Sequence, residues 1–163
     1  MFYRLSYISN NNSSNREFSL LTAKSFNVIL DKLTNSDQEV IDFLDRFIRF
    51  GITLIHTTEE LREEILEFDE LYQFHFSDIS FNFWIKVSNG KVTYKKGYNE
   101  NNSIRIYFTR DLILKILKEE IGGTEAYMKG LLKIQGNLSH AFKIKKFLRL
   151  LTDYLKEISK SNE

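Results

Sequence analysis

The sequence predicts an α+β fold: a five-stranded, largely antiparallel sheet covered on one face by helices. Three observations lead there. Between Tyr72 and Phe108 apolar side chains recur at every second position, the period of a half-buried strand. Before and after that stretch they recur at three and four, the period of an amphipathic helix. A sheet with one apolar face must bury it, and the flanking helices are the available cover.

The elements follow in order. Phe26, Ile29, Leu30 and Leu33 mark a first helix, broken at Asn35-Ser36-Asp37, which offers an N-cap. Val40, Ile41, Leu44, Phe47 and Ile48 mark a second, which Gly51 is expected to end. Thr58 and the carboxylates Glu59 to Glu64 open a third, with Leu61, Ile65, Phe68 and Leu71 as its stripe; acidic residues in a first turn favour the helix dipole. Tyr72, Phe74 and Phe76 alternate with Gln73 and His75, and Phe81, Phe83, Ile85 and Val87 with Asn82, Trp84 and Lys86. Asn89-Gly90 is a hairpin turn, because both central positions of a type I′ turn need positive φ. Val92 and Tyr94 carry the next strand, Gly97 closes it, and Ile104, Ile106 and Phe108 continue the meander. Thr109 to Asp111 cap a helix expected to reach Ile121 before Gly122-Gly123, and a short helix spans Glu125 to Lys129. A fifth strand spans Leu131 to Gln135, and a long helix runs from Asn137 to about Ile158. Its expected cover face is Leu138, Ala141, Phe142, Leu148, Leu151, Leu155 and Ile158, widened by Ile144 and Phe147. The domain reading is an N-terminal arm at 1–17, one domain at 18–158 (helices 18–71, sheet and helices 72–158) and a tail at 159–163.

Composition narrows the function. With 163 residues and no cysteine, disulfide, thiolate-metal and thiol chemistry are out. A net charge of +1 argues against a dedicated nucleic-acid binder. No apolar run approaches the roughly 18–20 residues of a membrane span, and the N-terminus has no signal-peptide core, so a soluble, cytoplasmic protein is expected. Phe and Tyr are abundant, at 14 and 8, which suits a bulky interior or a bulky ligand's pocket.

Catalytic patterns fail on inspection. His56, His75 and His140 have no metal-ligand spacing; His56 is expected in a loop and His75 on a strand's polar face. Glu59, Glu60, Glu63 and Glu64 read as a solvated first turn. Gly122-Gly123 lacks the Gly-Lys-Ser/Thr of a phosphate loop. Ser139 and His140 are helix neighbours whose side chains diverge. No enzyme, metal or cofactor is expected.

One segment is more specific. GLLKIQGNLSHAFKI, at 130–144, follows Tyr127-Met128-Lys129, and upstream lies FNFWIKVSNGKVTYKKG, then SIRIYFT and RDLILKIL. In order and spacing, over about residues 70 to 150, these resemble the sterol carrier protein type 2 family; Leu131 departs from the family's usual Lys. The resemblance implies an apolar tunnel between sheet and helices and the binding or transfer of a long apolar lipid, without an enzymatic step. On residues alone, Phe83, Ile85, Ile106, Phe108, Leu132 and Ile134 would be ordinary core. The resemblance makes them ligand-binding candidates, with Leu112, Leu117, Met128, Phe142 and Leu148 beside them and Gln135 as a head-group contact. A filled version of the fold, serving as a dimerisation or scaffolding module, is the alternative. Lys129, Lys133, Lys143, Lys145, Lys146 and Arg149 gather near the C-terminus, a candidate transient contact with an anionic membrane surface. Trp84 and Tyr107, opposite the core face, are a candidate homodimer patch.

Overall fold

The computed structural model describes residues 23–33 and 36–160. The described residues divide into two compact units: Glu64–Leu148, and those up to Glu63 with those from Arg149 on. The second of these contains helices α1 (Ala23–Lys32), α2 (Asp37–Thr57) and α3 (Glu59–Glu63). The sheet unit contains β1 (Asp69–Phe76), β2 (Asn82–Ser88), β3 (Lys91–Lys96), β4 (Ile104–Phe108), α4 (Arg110–Leu117), α5 (Gly123–Met128) and β5 (Lys133–Gly136). Helix α6 (Leu138–Lys160) begins in the sheet unit and ends in the helical one. The expected arm at 1–17 and the residues 161–163 of the expected tail lie outside the described residues, while α6 takes in residues 159 and 160.

The α+β class and the five strands stand as the sequence predicts. The strand order is β3-β2-β1-β4-β5; β1–β2, β2–β3 and β4–β5 pair antiparallel, and β1–β4 pair parallel. The meander therefore stops at β3. The chain recrosses the outer face and adds β4 on the far side of β1. What holds that crossing is Gln73, fully buried on the outer face. Its amide donates to the Gly97 and Phe83 carbonyls (3.1 and 3.0 Å) and accepts from the Asn99 N–H at 2.8 Å. Ser103 N–H then donates to the Leu71 carbonyl at 2.8 Å, delivering the chain to its new edge.

Local chemistry explains the element ends. Asn89 and Gly90 both have positive φ, 51° and 71°, as the type I′ turn requires. The Ser36 hydroxyl caps α2 by accepting from the Glu39 N–H, and Thr109 caps α4 by accepting from the Leu112 N–H. Three helices, α2, α3 and α4, end well away from the expected position. Helix α2 passes through Gly51 and ends at Thr57, taking His56 into its last turn. Gly51 is there for close packing: a Cβ would meet Leu151 Cδ2 at 3.3 Å. Helix α3 stops at Glu63, and Leu71 belongs to β1. Helix α4 ends at Leu117 rather than Ile121, because Glu119 takes a left-handed φ of 62° and turns the chain.

Candidate functional site

Register assigns the faces. Tyr72 pairs Ile85 and Ile104, Phe74 pairs Phe83 and Ile106, Phe76 pairs Phe108, Ile85 pairs Tyr94, and Ile106 pairs Ile134. These side chains share the inner face, as two-residue alternation predicts. Phe83, Ile104, Ile106 and Phe108 are buried; Phe74, Ile85 and Ile134 are half-buried. Toward the β1–β2 side rings fill the space. Phe74 stacks on Phe83 at 4.7 Å, Phe76 meets Phe108 edge-on at 4.6 Å, and Phe83 meets Tyr94 at 5.7 Å. Such pairs add about 0.5–1.5 kcal/mol each beyond their area burial. Toward β5 burial is lower: Ile134 and Leu132, which precedes the strand, are half-buried.

A charged cluster lies at one end of the inner face. Extending the parity of Tyr72 back by two places Glu70 there, only 5% exposed. Its carboxylate contacts the His140 ring and accepts from Lys143 Nζ at 3.0 Å. The Tyr72 hydroxyl donates to the His140 carbonyl at 3.3 Å. A carboxylate buried without such partners would cost several kcal/mol, so Glu70 fixes where α6 sits along β1. Burial, and secondarily the Glu70 charge, pushes the Tyr72 phenol far above its ordinary range. Farther along α6, Phe147 meets Phe68 at 6.4 Å and Lys146 approaches Glu64 at 3.8 Å. The helix thus runs past the start of β1.

This register turns α6 against expectation. His140, Lys143, Ile144 and Phe147 make one face at helical spacing, and Ile144 and Phe147 are the buried apolar residues of its first turns. Phe142 stands two residues from both His140 and Ile144, about 200° around the helix, and is 64% exposed. Leu138 and Leu148 are also exposed, so Leu138, Phe142 and Leu148 do not form the cover face the sequence suggested. The side chains of Leu155 and Ile158 lie outside the described residues.

Of the twelve candidates, register places five on the inner face, Phe83, Ile85, Ile106, Phe108 and Ile134, while Leu112 is buried and Leu117 and Leu132 are half-buried. Leu132 precedes β5, whose bounds shift to Lys133–Gly136 from the expected 131–135. Gln135 is on the outer face, where its side-chain amide oxygen accepts from the Tyr107 hydroxyl at 3.0 Å. Met128, Phe142 and Leu148 are exposed. The Glu70–His140–Lys143 cluster went unseen in the sequence; the signal was a Glu at an inner parity position and a basic pair at i and i+3. The outer face carries Trp84 and Tyr107 as expected, with His75 stacked on Tyr107 at 4.8 Å. A groove of about 320 Å³ opens there beside Trp84, Lys86, Asn99 and Ser103. Among the described residues no three His, Cys, Asp or Glu side chains are grouped to hold a metal, and no helix is long and apolar enough to cross a membrane.

Residues 52–149, more than half of the chain, match the model of the SCP-2 sterol transfer family. The chain belongs to this family. The SCP-2 match runs from within α2 to just past the third turn of α6, so it takes in the whole sheet. Solved structures share the fold. Sterol carrier protein 2 from Yarrowia lipolytica, in its apo form, is 18% identical with a TM-score of 0.52, covering 63% of this chain and 84% of that one. A second sterol carrier protein 2 is 13% identical with a TM-score of 0.51, covering 66% and 91%. A double mutant of the sec-alkyl sulfatase PisA1 is 18% identical with a TM-score of 0.55; 65% of this chain is covered, but it spans only 16% of that enzyme. No curated protein matches the chain.

Proposed function

We propose that this SCP-2 family member binds a long apolar lipid (a fatty acyl chain, an isoprenoid or a sterol) against the inner sheet face and passes it on with no covalent step. The observation that carries the reading is the inner face itself. It is continuous and apolar from Tyr94 to Ile134, packed with rings at one side and only half covered at the other. The ligand would lie in a tunnel at the thinly covered side, against Leu132, Ile134, Ile106 and Leu117, with Ile85, Phe83, Phe108 and Leu112 as the deeper wall. The driving force is removal of apolar surface from water, about 0.8 kcal/mol per buried methylene. About ten methylenes would supply some 8 kcal/mol before the costs of association. Transient contact with an anionic membrane surface would serve loading and release, and the compartment proposed is the cytoplasm.

Titration with fluorescent fatty acid and sterol analogues tests the reading. Saturable uptake is expected, weakened by Leu132→Trp. A protein that takes up none of them is not a lipid carrier.

The ring cluster favours a second reading, a filled domain that works by self-association. Its surface would be the outer face, where Trp84, His75 and Tyr107 stay half-exposed. Light scattering separates the two. A dimer that Trp84→Ala dissociates, in a protein that binds no lipid, selects this one.

A further inference from the structure

The three most exposed large apolar side chains of the sheet unit belong to α5, the turn after it and the start of α6, and two less exposed ones lie beside them. Met128 is 80% exposed, Phe142 64% and Leu131 52%, with Tyr127 and Leu138 each at 40%. Two of these stripes are joined. Lys145 of α6 donates its ammonium to the Thr124 hydroxyl of α5. Met128 is four residues from Thr124 on α5, and Phe142 three residues from Lys145 on α6, so each projects within one helical turn of that contact. Leu138 continues the α6 stripe one turn farther back. Apolar side chains held out into water at a joined pair of helices mark an interaction surface.

We propose that this surface docks on an anionic lipid bilayer, with Met128 and Phe142 entering the head-group boundary. The proposal rests on the lipid-carrier reading for its purpose and on charge for its partner. Residues 123–148 contain five lysines (Lys129, Lys133, Lys143, Lys145 and Lys146) and a single carboxylate, Glu125. Glu125 pairs with Lys129, and Glu70 and Glu64 approach Lys143 and Lys146 from outside the segment. The segment's own balance is thus +4. With Glu64 and Glu70 counted the local balance is +2, so a second copy on the same patch would set positive charge against positive, which opposes self-association there. An anionic leaflet meets the same lysines with attraction and accepts protruding apolar tips without a matched groove. Helix α6 also carries His140 and Lys143 onto Glu70. A helix held at the membrane by Phe142 is therefore the one that covers the end of the inner face.

The absence of cysteine makes the test clean. Met128→Cys or Phe142→Cys in the full chain provides one site for an environment-sensitive nitrobenzoxadiazole label. The emission should rise and shift to the blue with vesicles of phosphatidylcholine and phosphatidylglycerol, and much less with phosphatidylcholine alone. A label at Lys91→Cys, on the β2–β3 turn, should not respond. Co-sedimentation with the anionic vesicles should weaken about tenfold or more in the Met128→Ser, Phe142→Ser double variant. It should also weaken in 1 M salt, where charges are screened beyond about 3 Å. Both substituted residues are exposed, and uptake of a fluorescent fatty acid without vesicles serves as the folding and function control. Uptake with no label response overturns the docking surface and leaves the lipid-carrier reading standing; a label response without uptake does the reverse. A wild-type dimer that the double variant dissociates would show that the patch meets a second copy, and would also overturn the proposal.

Discussion

Tyr72 and Glu70 hold the start of α6 against β1. Both sit on the inner face, and both grip α6 through His140. Because burial raises the Tyr72 pKa, the folded protein keeps this phenol neutral where the unfolded chain ionises it. The stabilisation is therefore whole below about pH 10, the ordinary tyrosine value, and is lost as pH rises above it. One such group steepens the loss by up to about 1.4 kcal/mol per pH unit. Urea denaturation of wild type and Tyr72→Phe at pH 8 to 11 should show the variant less stable at pH 8, by about 0.5–1.5 kcal/mol for the lost hydrogen bond. The gap should narrow above pH 10; parallel curves would mean that the phenol titrates freely. Glu70→Gln removes the charge that Lys143 and His140 answer. With Lys143 partly in water, the expected cost is about 1–3 kcal/mol, read from the denaturation midpoint, and an unchanged midpoint would make the cluster ornamental. At Leu132 the side chain is half-buried, so Leu132→Trp should reduce lipid uptake and change stability by less than the roughly 1–3 kcal/mol of an overpacked core. A large stability loss with unchanged uptake would place the ligand elsewhere.

At the scale of elements, β5 is the vulnerable one. It has four residues, and its last, Gly136, pairs with Ile104 at a φ of 119°. A Cβ there would stand 2.7 Å from the Ser103 carbonyl oxygen and 3.2 Å from Ile104 Cα, both backbone. Gly136→Ala should cost about 2 kcal/mol or more and raise amide exchange in Ile104 to Tyr107. Protection equal to wild type would mean that the strand accommodates the methyl. The elements also show what a sequence can tell. Two-residue alternation placed Phe74, Phe83, Ile106 and Ile134 on one face and Trp84 and Tyr107 on the other, because a strand has only two faces. Alternation is silent on strand order, and so the parallel β1–β4 pairing was missed. It depends on Gln73 being buried under the 97–103 crossing, a long-range fact. The orientation of α6 was missed for a related reason. Its apolar residues ring the helix widely enough for several faces to serve, and the buried Glu70 chose the one with Ile144 and Phe147.

For the whole molecule, family membership and the inner sheet face lead to one expectation, a reversible carrier whose affinity comes from buried apolar length. Such a protein should seldom be empty when taken from cells, because a bound chain of about ten methylenes contributes some 8 kcal/mol before association costs. Native mass spectrometry of the full chain, purified without detergent, reads this directly. The account predicts a population heavier than the 163-residue chain by one acyl, isoprenoid or sterol molecule. That extra mass should leave on collisional activation and be reduced in Leu132→Trp. A bare chain mass that stays bare after incubation with fatty acids and sterols would contradict it.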